Sequence, residues 1–311
     1  MARGNDRIPF RVTPMLATLA RKPFDLPGWT YEEKYDGYRI LAYKEGDRVT
    51  LLSRNGNDRT LTYAAIARAV SEIRLRTVLL DGEVVAFDKQ RVSRFQLLQG
   101  GGSSAVYVVF DCLYSQGRDL RREKLEERRA AAESAVDDIR GLMMSHRLAD
   151  DGLKAFKIAQ KGGYEGLVAK DSAAPYIEGR TSKWLKVKVH QEEEMIIAGF
   201  TKPEGARRYF GALLLGAYEN GKLRYVGKVG TGFNENSLAS LYSKFKPLVQ
   251  PNSPFVDPPR EKYVTYLKPK LVGQISFQEW TADRKLRQPV YLGLRDDKSP
   301  EDVQLPATGA A

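Results

Sequence analysis

Strand-forming runs recur along this chain without the regular alternation of strand and helix that a doubly wound parallel sheet requires, and that limits the fold before any residue is given a task. Residues 29–43 alternate aromatic and aliphatic residues with charged ones and are broken by Asp36-Gly37, which reads as strand, tight turn, strand. Residues 78–87 and 106–114 are dense in β-branched and aromatic residues and read as buried strands; residues 167–170 and 184–189 add two more. Residues 61–74 carry apolar side chains on one helical face, and helices are also expected at 91–98, 120–136 and 151–162. Gly100-Gly101-Gly102 reads as a loose link. The predicted class is α+β, with mixed and antiparallel sheets and helices packed on them.

Beyond His190 the character changes. Short strands are expected at 195–200, 212–218, 223–229 and 271–280, with one helix near 236–245. Asn220-Gly221 between two strand-like runs signals a hairpin. Short strands, turns and one helix fit a small β-barrel of the OB-fold kind. The boundary is expected near Glu192–Glu194, giving domains 1–191 and 192–311. Five prolines between Pro247 and Pro259 read as a loop, and the tail from about Ser299 as frayed. Gly216 to Lys222 matches most of a phosphate-binding P-loop, but Leu223 stands where a metal-binding Ser or Thr is needed. The hairpin reading is preferred there.

Fifty Lys and Arg against 39 Asp and Glu give a net charge of +11, which suits a polyanionic partner. Cys112 is the only cysteine, so no intramolecular disulfide forms and a reducing compartment is expected. With His146 and His190 the only histidines, a zinc site of nitrogen and sulfur ligands is not expected. A metal here would be a hard cation held by carboxylates and substrate phosphates. Residues 1–14 lack the apolar core of a signal peptide, and no run is long enough to span a bilayer.

The segment Lys34-Tyr35-Asp36-Gly37-Tyr38-Arg39 has the pattern Lys-x-Asp-Gly-x-Arg. It is followed in order by Ser53-Arg54-Asn55-Gly56, Leu80-Asp81-Gly82-Glu83, Val109-Phe110-Asp111, Glu165-Gly166-Leu167-Val168-Ala169-Lys170, Trp184-Leu185-Lys186-Val187-Lys188 and Arg295-Asp296-Asp297-Lys298. Lys186 and Lys188 alternate on a strand, so they share a face and favour a common target. The ordered set resembles the covalent nucleotidyltransferases: DNA ligases, RNA ligases and mRNA capping enzymes. Within them it is most similar to the ATP-dependent ligases of bacterial end joining, through Pro14-Met15-Leu16-Ala17, the Ser53–Gly56 stretch and Gln278-Glu279-Trp280-Thr281 ahead of Leu286-Arg287-Gln288-Pro289. A His is common where Gln288 stands, which leaves that position's role in doubt.

The resemblance implies a nucleotidyltransferase (adenylation) domain followed by an OB-fold domain, and an enzyme that seals nicks through a lysyl-AMP intermediate. It implies Lys34 as nucleophile, ATP as AMP donor, and Mg²⁺ as the metal, with Mn²⁺ an alternative. A free lysine has a pKa near 10.4, so stripping its proton at neutral pH costs roughly 4–5 kcal/mol. Neighbouring cations and burial are expected to lower that cost, with Lys186, Lys188 and the metal as the cations. By the same resemblance Glu32 meets the adenine edge and Phe110 stacks on its face, while Arg39 and Glu83 hold the ribose. Arg54 grips the 5′-phosphate of the nick, and Asp36 and Glu165 organise metal. Arg295 and Lys298 orient the pyrophosphate leaving group, and Lys170 and Trp184 play supporting parts. The implied partners are nicked or broken double-stranded DNA and end-binding or end-processing proteins, for a monomer in the bacterial cytoplasm, associated with the nucleoid. An RNA-joining or capping enzyme, or a non-catalytic DNA-end binding module, are the competing readings.

Overall fold

The computed structural model describes residues 8–20, 22–98, 105–189, 191–203, 205 and 207–305, so Gly100-Gly101-Gly102 and the last residues of the expected tail lie outside it. The chain divides into two compact units, Met1–Val189 and His190–Ala311. In order, the first runs β1 (Met15–Leu19), β2 (Trp29–Lys34), β3 (Tyr38–Glu45), β4 (Arg48–Ser53), α1 (Ala64–Ser71), β5 (Thr77–Val85), α2 (Phe95–Leu98) and β6 (Val106–Ser115). It continues with β7 (Arg118–Asp119), α3 (Leu125–Val136), β8 (Leu142–Met144), β9 (Arg147–Ala149), α4 (Gly152–Gly162), β10 (Gly166–Asp171) and β11 (Gly179–Lys188).

Two sheets build this unit, one ordered β1-β11-β10-β2-β9 and the other β4-β3-β5-β6-β7 with β8 beside β6. Strand β3 is buried on both faces. Ile40 and Ala42 pack with Leu51 and Leu80 against α1 and α3, while Leu41 and Tyr43 turn the other way toward Met15, Phe110, Tyr176 and Trp184. A strand covered on both sides reads as a continuous apolar run, as this one does. Each such aliphatic side chain contributes roughly 1.5–3 kcal/mol by leaving water. The first sheet closes its outer face with α4, whose Ala155 and Ala159 pack on Tyr31, Leu167, Ala169 and Val187.

Sequence periodicity located most of these elements and missed others. Strand β1 has no alternation to find; it lies parallel to β11 across a register shift between Ala17 and Thr18. Strand β4 pairs back on β3 from Ile40↔Ser53 to Glu45↔Arg48. Helix α3 begins at Leu125, not Leu120, because Arg118 and Asp119 pair with β6 and the Asp119 carboxylate accepts the Arg121 N–H at 3.0 Å.

The second unit runs β12 (Gln191–Thr201), β13 (Leu213–Glu219), β14 (Lys222–Val229), α5 (Glu235–Phe245), β15 (Val249–Gln250), β16 (Val264–Phe277) and β17 (Val290–Leu294). The sheet order is β14-β13-β12-β16-β15, with β17 also beside β16. It curls until Tyr291 N–H at the β17 edge donates to Thr231 O beyond β14 at 3.0 Å. Gly232 permits that approach, since a Cβ there would lie 2.1 Å from Tyr291 O. Asn234 caps α5 by accepting from Ser237 N–H at 2.8 Å, with Ser237 Oγ reciprocating as acceptor at 2.9 Å. This curled sheet with its single helix has the OB-fold form. Asn220 and Gly221 are both left-handed, as a two-residue hairpin turn demands, so the P-loop lookalike is a hairpin. The tail expectation needs correction. Pro300–Asp302 forms a 3₁₀ turn, Tyr218 N–H donates to Val303 O at 2.8 Å, and Leu305 N–H donates to Tyr218 O at 2.7 Å.

Candidate active site

Register decides which charged residues of the first sheet meet. Gly166 of β10 lies opposite Lys34 on one side and Lys188 on the other; two residues along, Val168 lies opposite Glu32 and Lys186. Directly paired residues share a face, so Glu32, Lys34, Lys186 and Lys188 project together, on the side that also carries Lys170 and Trp184. A Cβ on Gly166 would come within 2.1 Å of Val187 O, so only glycine lets the strands close here. Gly37 answers a similar need, since its Cβ would lie 2.2 Å from Val84 O. The Asp36-Gly37 step is thus a site of close approach rather than a left-handed turn.

Lys34 ends β2, and its ammonium lies 2.5 Å from the Glu165 carboxylate. Burial by itself would push the amine's pKa down. Glu165, with Asp36 and Glu83 farther off, outweighs it and holds Lys34 above its ordinary value. This is the reverse of the expected lowering by neighbouring cations. In the protein alone, carboxylates set the charge on this amine. Its neighbour Glu33 points to the opposite face, where burial pushes its carboxyl up to about 7.

Glu32 is fully buried and held by three donors: Arg129 at 2.8 Å, Lys170 at 2.7 Å and Ser145 Oγ at 2.6 Å. Burial works against its charge, but Lys170 and Arg129 overcome that and keep the carboxyl below its usual range. The Lys170 ammonium lies 4.6 Å from the Phe110 ring centroid and 4.5 Å from that of Trp184. Arg39 covers Phe110 at 4.4 Å and is clamped by Asp81 through two bonds of 2.5 and 2.6 Å. Tyr176 O–H also donates to Asp81, at 2.6 Å. Glu83 lies opposite Arg39 in the β3–β5 pairing. Behind Phe110, buried Arg128 grips Asp111 at 2.8 and 2.9 Å. The clamps Asp81, Arg128, Arg129 and Ser145 carry no assignment from sequence. Their site partners Arg39, Asp111 and Glu32 lie 17 to 113 residues away, so only the fold identifies them.

Arg54 sits on the turn after β4, which Ser53 shapes by taking the Gly56 N–H on its carbonyl at 2.8 Å and the Asn57 N–H on its hydroxyl at 3.2 Å. Asp36 is an anchor. Its N–H donates to Ser93 Oγ and its carboxylate accepts the Phe95 N–H, both at 3.0 Å. Among the described residues no three Asp, Glu, His or Cys side chains converge on a metal position. A hard cation would therefore rest on one or two carboxylates, with Glu165 the best placed, and on phosphate oxygens and water. In the second unit Arg295 is buried, and Asp297 grips it through two bonds of 2.9 Å. Lys298 meets Glu194 at 3.0 Å.

Comparison with known proteins follows the same division. Residues 14–188 match the family model described as ATP dependent DNA ligase domain, and residues 206–298 the ATP dependent DNA ligase C terminal region. The chain is 38% identical over 313 residues to the multifunctional non-homologous end joining protein LigD of Pseudomonas aeruginosa, covering 96% of this chain and 37% of that protein. It is 33% identical to a DNA ligase of Thermococcus fumicolans, covering 88% of this chain and 53% of that one. Among solved structures, mycobacterial DNA ligase D complexed with ATP and MES matches with a TM-score of 0.73 and 34% identity, covering 96% of this chain and all of that one. The ligase domain of Mycobacterium tuberculosis LigD matches at 0.54 and 35%, covering 95% and 99%. The chain thus spans 37–39% of the length of its LigD relatives.

Proposed function

The chain belongs to the ATP-dependent DNA ligases, and from that premise we propose that it seals 5′-phosphate to 3′-hydroxyl nicks through AMP carried on Lys34, in the repair of double-strand breaks by end joining. The observation that carries this reading is the contact of Lys34 with Glu165, on the cross-strand face that Lys34 shares with Lys186, Lys188 and Trp184. Residues 1–191 act as the adenylating domain and 192–311 as its OB-fold companion. Lys34 Nζ attacks the α-phosphorus of ATP and pyrophosphate leaves, so a P–N bond forms as a P–O bond breaks. Lys186 and Lys188 would stabilise charge on the transferring phosphate. Phe110 stacks on the base once Arg39 and Lys170 yield part of its surface. Glu32 and its donors define the base edge, and Arg39 and Glu83 meet the ribose. Glu165, with Asp36 farther back, would hold Mg²⁺ or Mn²⁺, which supplies positive charge beside the phosphates. Glu165, when so engaged, would hold the Lys34 proton less firmly.

The substrate in this reading is nicked or broken duplex DNA, handed over by end-binding and end-processing proteins to a monomer at the bacterial nucleoid. No helix among the described residues is long and apolar enough to cross a membrane. Mass spectrometry after incubation with ATP and a divalent cation is expected to find AMP on the peptide containing Lys34; an adduct on Lys170 or Lys186 would overturn the assignment. Two variants separate the steps. Lys298→Ala is expected to lose self-adenylation yet seal a nick that already carries AMP on its 5′-phosphate, because its proposed task ends when pyrophosphate leaves. Arg54→Ala is expected to adenylate itself and fail on DNA. A Lys298→Ala protein equally dead on both substrates would remove the leaving-group role.

A further inference from the structure

Two exposed tyrosines on the second unit are held in a backbone conformation that bulky side chains avoid. Tyr209 has φ of 73° and Tyr263 of 55°, and they are 41% and 78% exposed. Left-handed backbone at such residues is strained, and an exposed ring recovers little of that cost by burial. Both flank the end of β12. Lys202 N–H donates to Tyr263 O at 3.0 Å, and Gly211 N–H donates to Thr201 O at 2.8 Å, which fixes the loop carrying Tyr209. Arg207 secures that loop from beneath, donating to Gly230 O at 2.7 Å with its guanidinium over Phe233 at 5.2 Å.

The rings and cations lie in two groups, one on each side of the end of β12. Lys202 lies 5.8 Å from the Tyr263 ring centroid, Tyr209 5.7 Å from Tyr242, and Lys246 5.8 Å from Tyr242. Phe200, near the end of β12, packs against Tyr242 at 6.0 Å. Exposed Arg208, Lys244, Arg260 and Lys262 lie within three residues in sequence of members of these groups. A neighbouring carboxylate, Glu261, is engaged by Lys228 at 2.7 Å.

Exposed rings set among exposed cations match the chemistry of unpaired nucleotides, whose bases stack while their phosphates take the charge. A closed duplex would use the cations and leave the rings idle, since its bases are already stacked. We infer that Tyr209 and Tyr263, with Lys202 and Lys246, form a binding surface for a single-stranded segment of DNA, such as the overhang of a broken end. This deepens the proposed function and rests on it only in taking DNA as the polymer.

The test is fluorescence anisotropy with a labelled oligothymidylate and, separately, a nicked duplex without overhangs. Tyr209→Gly and Tyr263→Gly are each expected to weaken oligothymidylate binding about tenfold. Their melting temperatures should be unchanged or raised, because glycine accepts the left-handed backbone. Tyr263→Phe should bind as the wild type, and Lys202→Ala should lower the slope of log affinity on log salt by about one. Self-adenylation should be that of the wild type in all four. Unaltered oligothymidylate binding in both glycine variants would overturn the inference, as would an equal loss on the nicked duplex or a phenylalanine variant as weak as the glycine one. A wild-type protein that binds oligothymidylate through these rings but never takes up AMP would sink the ligase reading and leave this one standing.

Discussion

The candidate site of the first unit and the tyrosine-bearing face of the second are both rich in cations, yet they hold them in opposite ways. At the site each buried or half-buried cation described above has a carboxylate: Lys34 with Glu165, Arg39 with Asp81, Lys170 and Arg129 with Glu32, Arg128 with Asp111. On the second unit Lys202 and Lys246 stand in water beside rings. Taking a charge out of water costs several kcal/mol unless a partner is in place, whereas an exposed lysine costs almost nothing to keep. Paired, buried cations therefore suit fixed positioning around a reacting atom. Exposed ones suit affinity without a fixed pose.

The sharpest break between the two regions is at Lys34. Lys34→Arg keeps a cation against Glu165, so the fold should survive, but guanidinium stays protonated and is a poor nucleophile. No protein-bound AMP should be detected after incubation with labelled ATP, and circular dichroism should match the wild type. Retained labelling would mean the nucleophile lies elsewhere.

Next in size is a stability contrast. Asp81→Ala leaves Arg39 without its buried partner and Tyr176 without its acceptor, and is expected to cost about 3–5 kcal/mol in chemical denaturation. Lys202→Ala, on the exposed face, should stay within roughly 0.5 kcal/mol. Similar costs for the two would erase the distinction. A third comparison is with salt. Affinity for nicked duplex should fall by about two decades between low and moderately high salt, because exposed cations act by releasing phosphate counterions. The denaturation midpoint, which depends on buried pairs, should move little over the same range.

What the sequence disclosed follows the same line. Period-two alternation put Lys186 and Lys188 on one face, and Asn220-Gly221 marked its hairpin, because these signals are local. The strand at Met15–Leu19 escaped because its five residues lack alternation and its partner lies about 165 residues on. Asp81 stood inside a recognised segment, yet its duty to Arg39 and Tyr176 is a tertiary fact. So is the charge on Lys34. The sequence suggested cations as the governing neighbours, and the fold supplies carboxylates.

That reversal gives the gentlest test, through pH. Glu165 raises the pKa of Lys34, so at neutral pH the neutral amine is a small fraction and should grow about tenfold per pH unit until the raised value is reached. The rate of Lys34–AMP formation should climb with the same slope wherever deprotonation limits it. Glu165→Gln removes the carboxylate that retains the proton, so the titration of Lys34 should move down. Because Glu165 is also the proposed cation ligand, activity cannot separate the two roles. Competitive acylation of Lys34 by an amine reagent, read by mass spectrometry from about pH 7 to about pH 11 without nucleotide, can. The sign for stability follows from the same shift. A lysine whose pKa is raised by folding stabilises the folded state fully below its unfolded value of about 10.4, and that contribution is lost as pH rises through the raised value. Glu165→Gln should therefore be the less stable protein at neutral pH, with the gap narrowing above that range. If Lys34 in Glu165→Gln titrated no lower than in the wild type, the carboxylate would not be what holds the nucleophile in its protonated state.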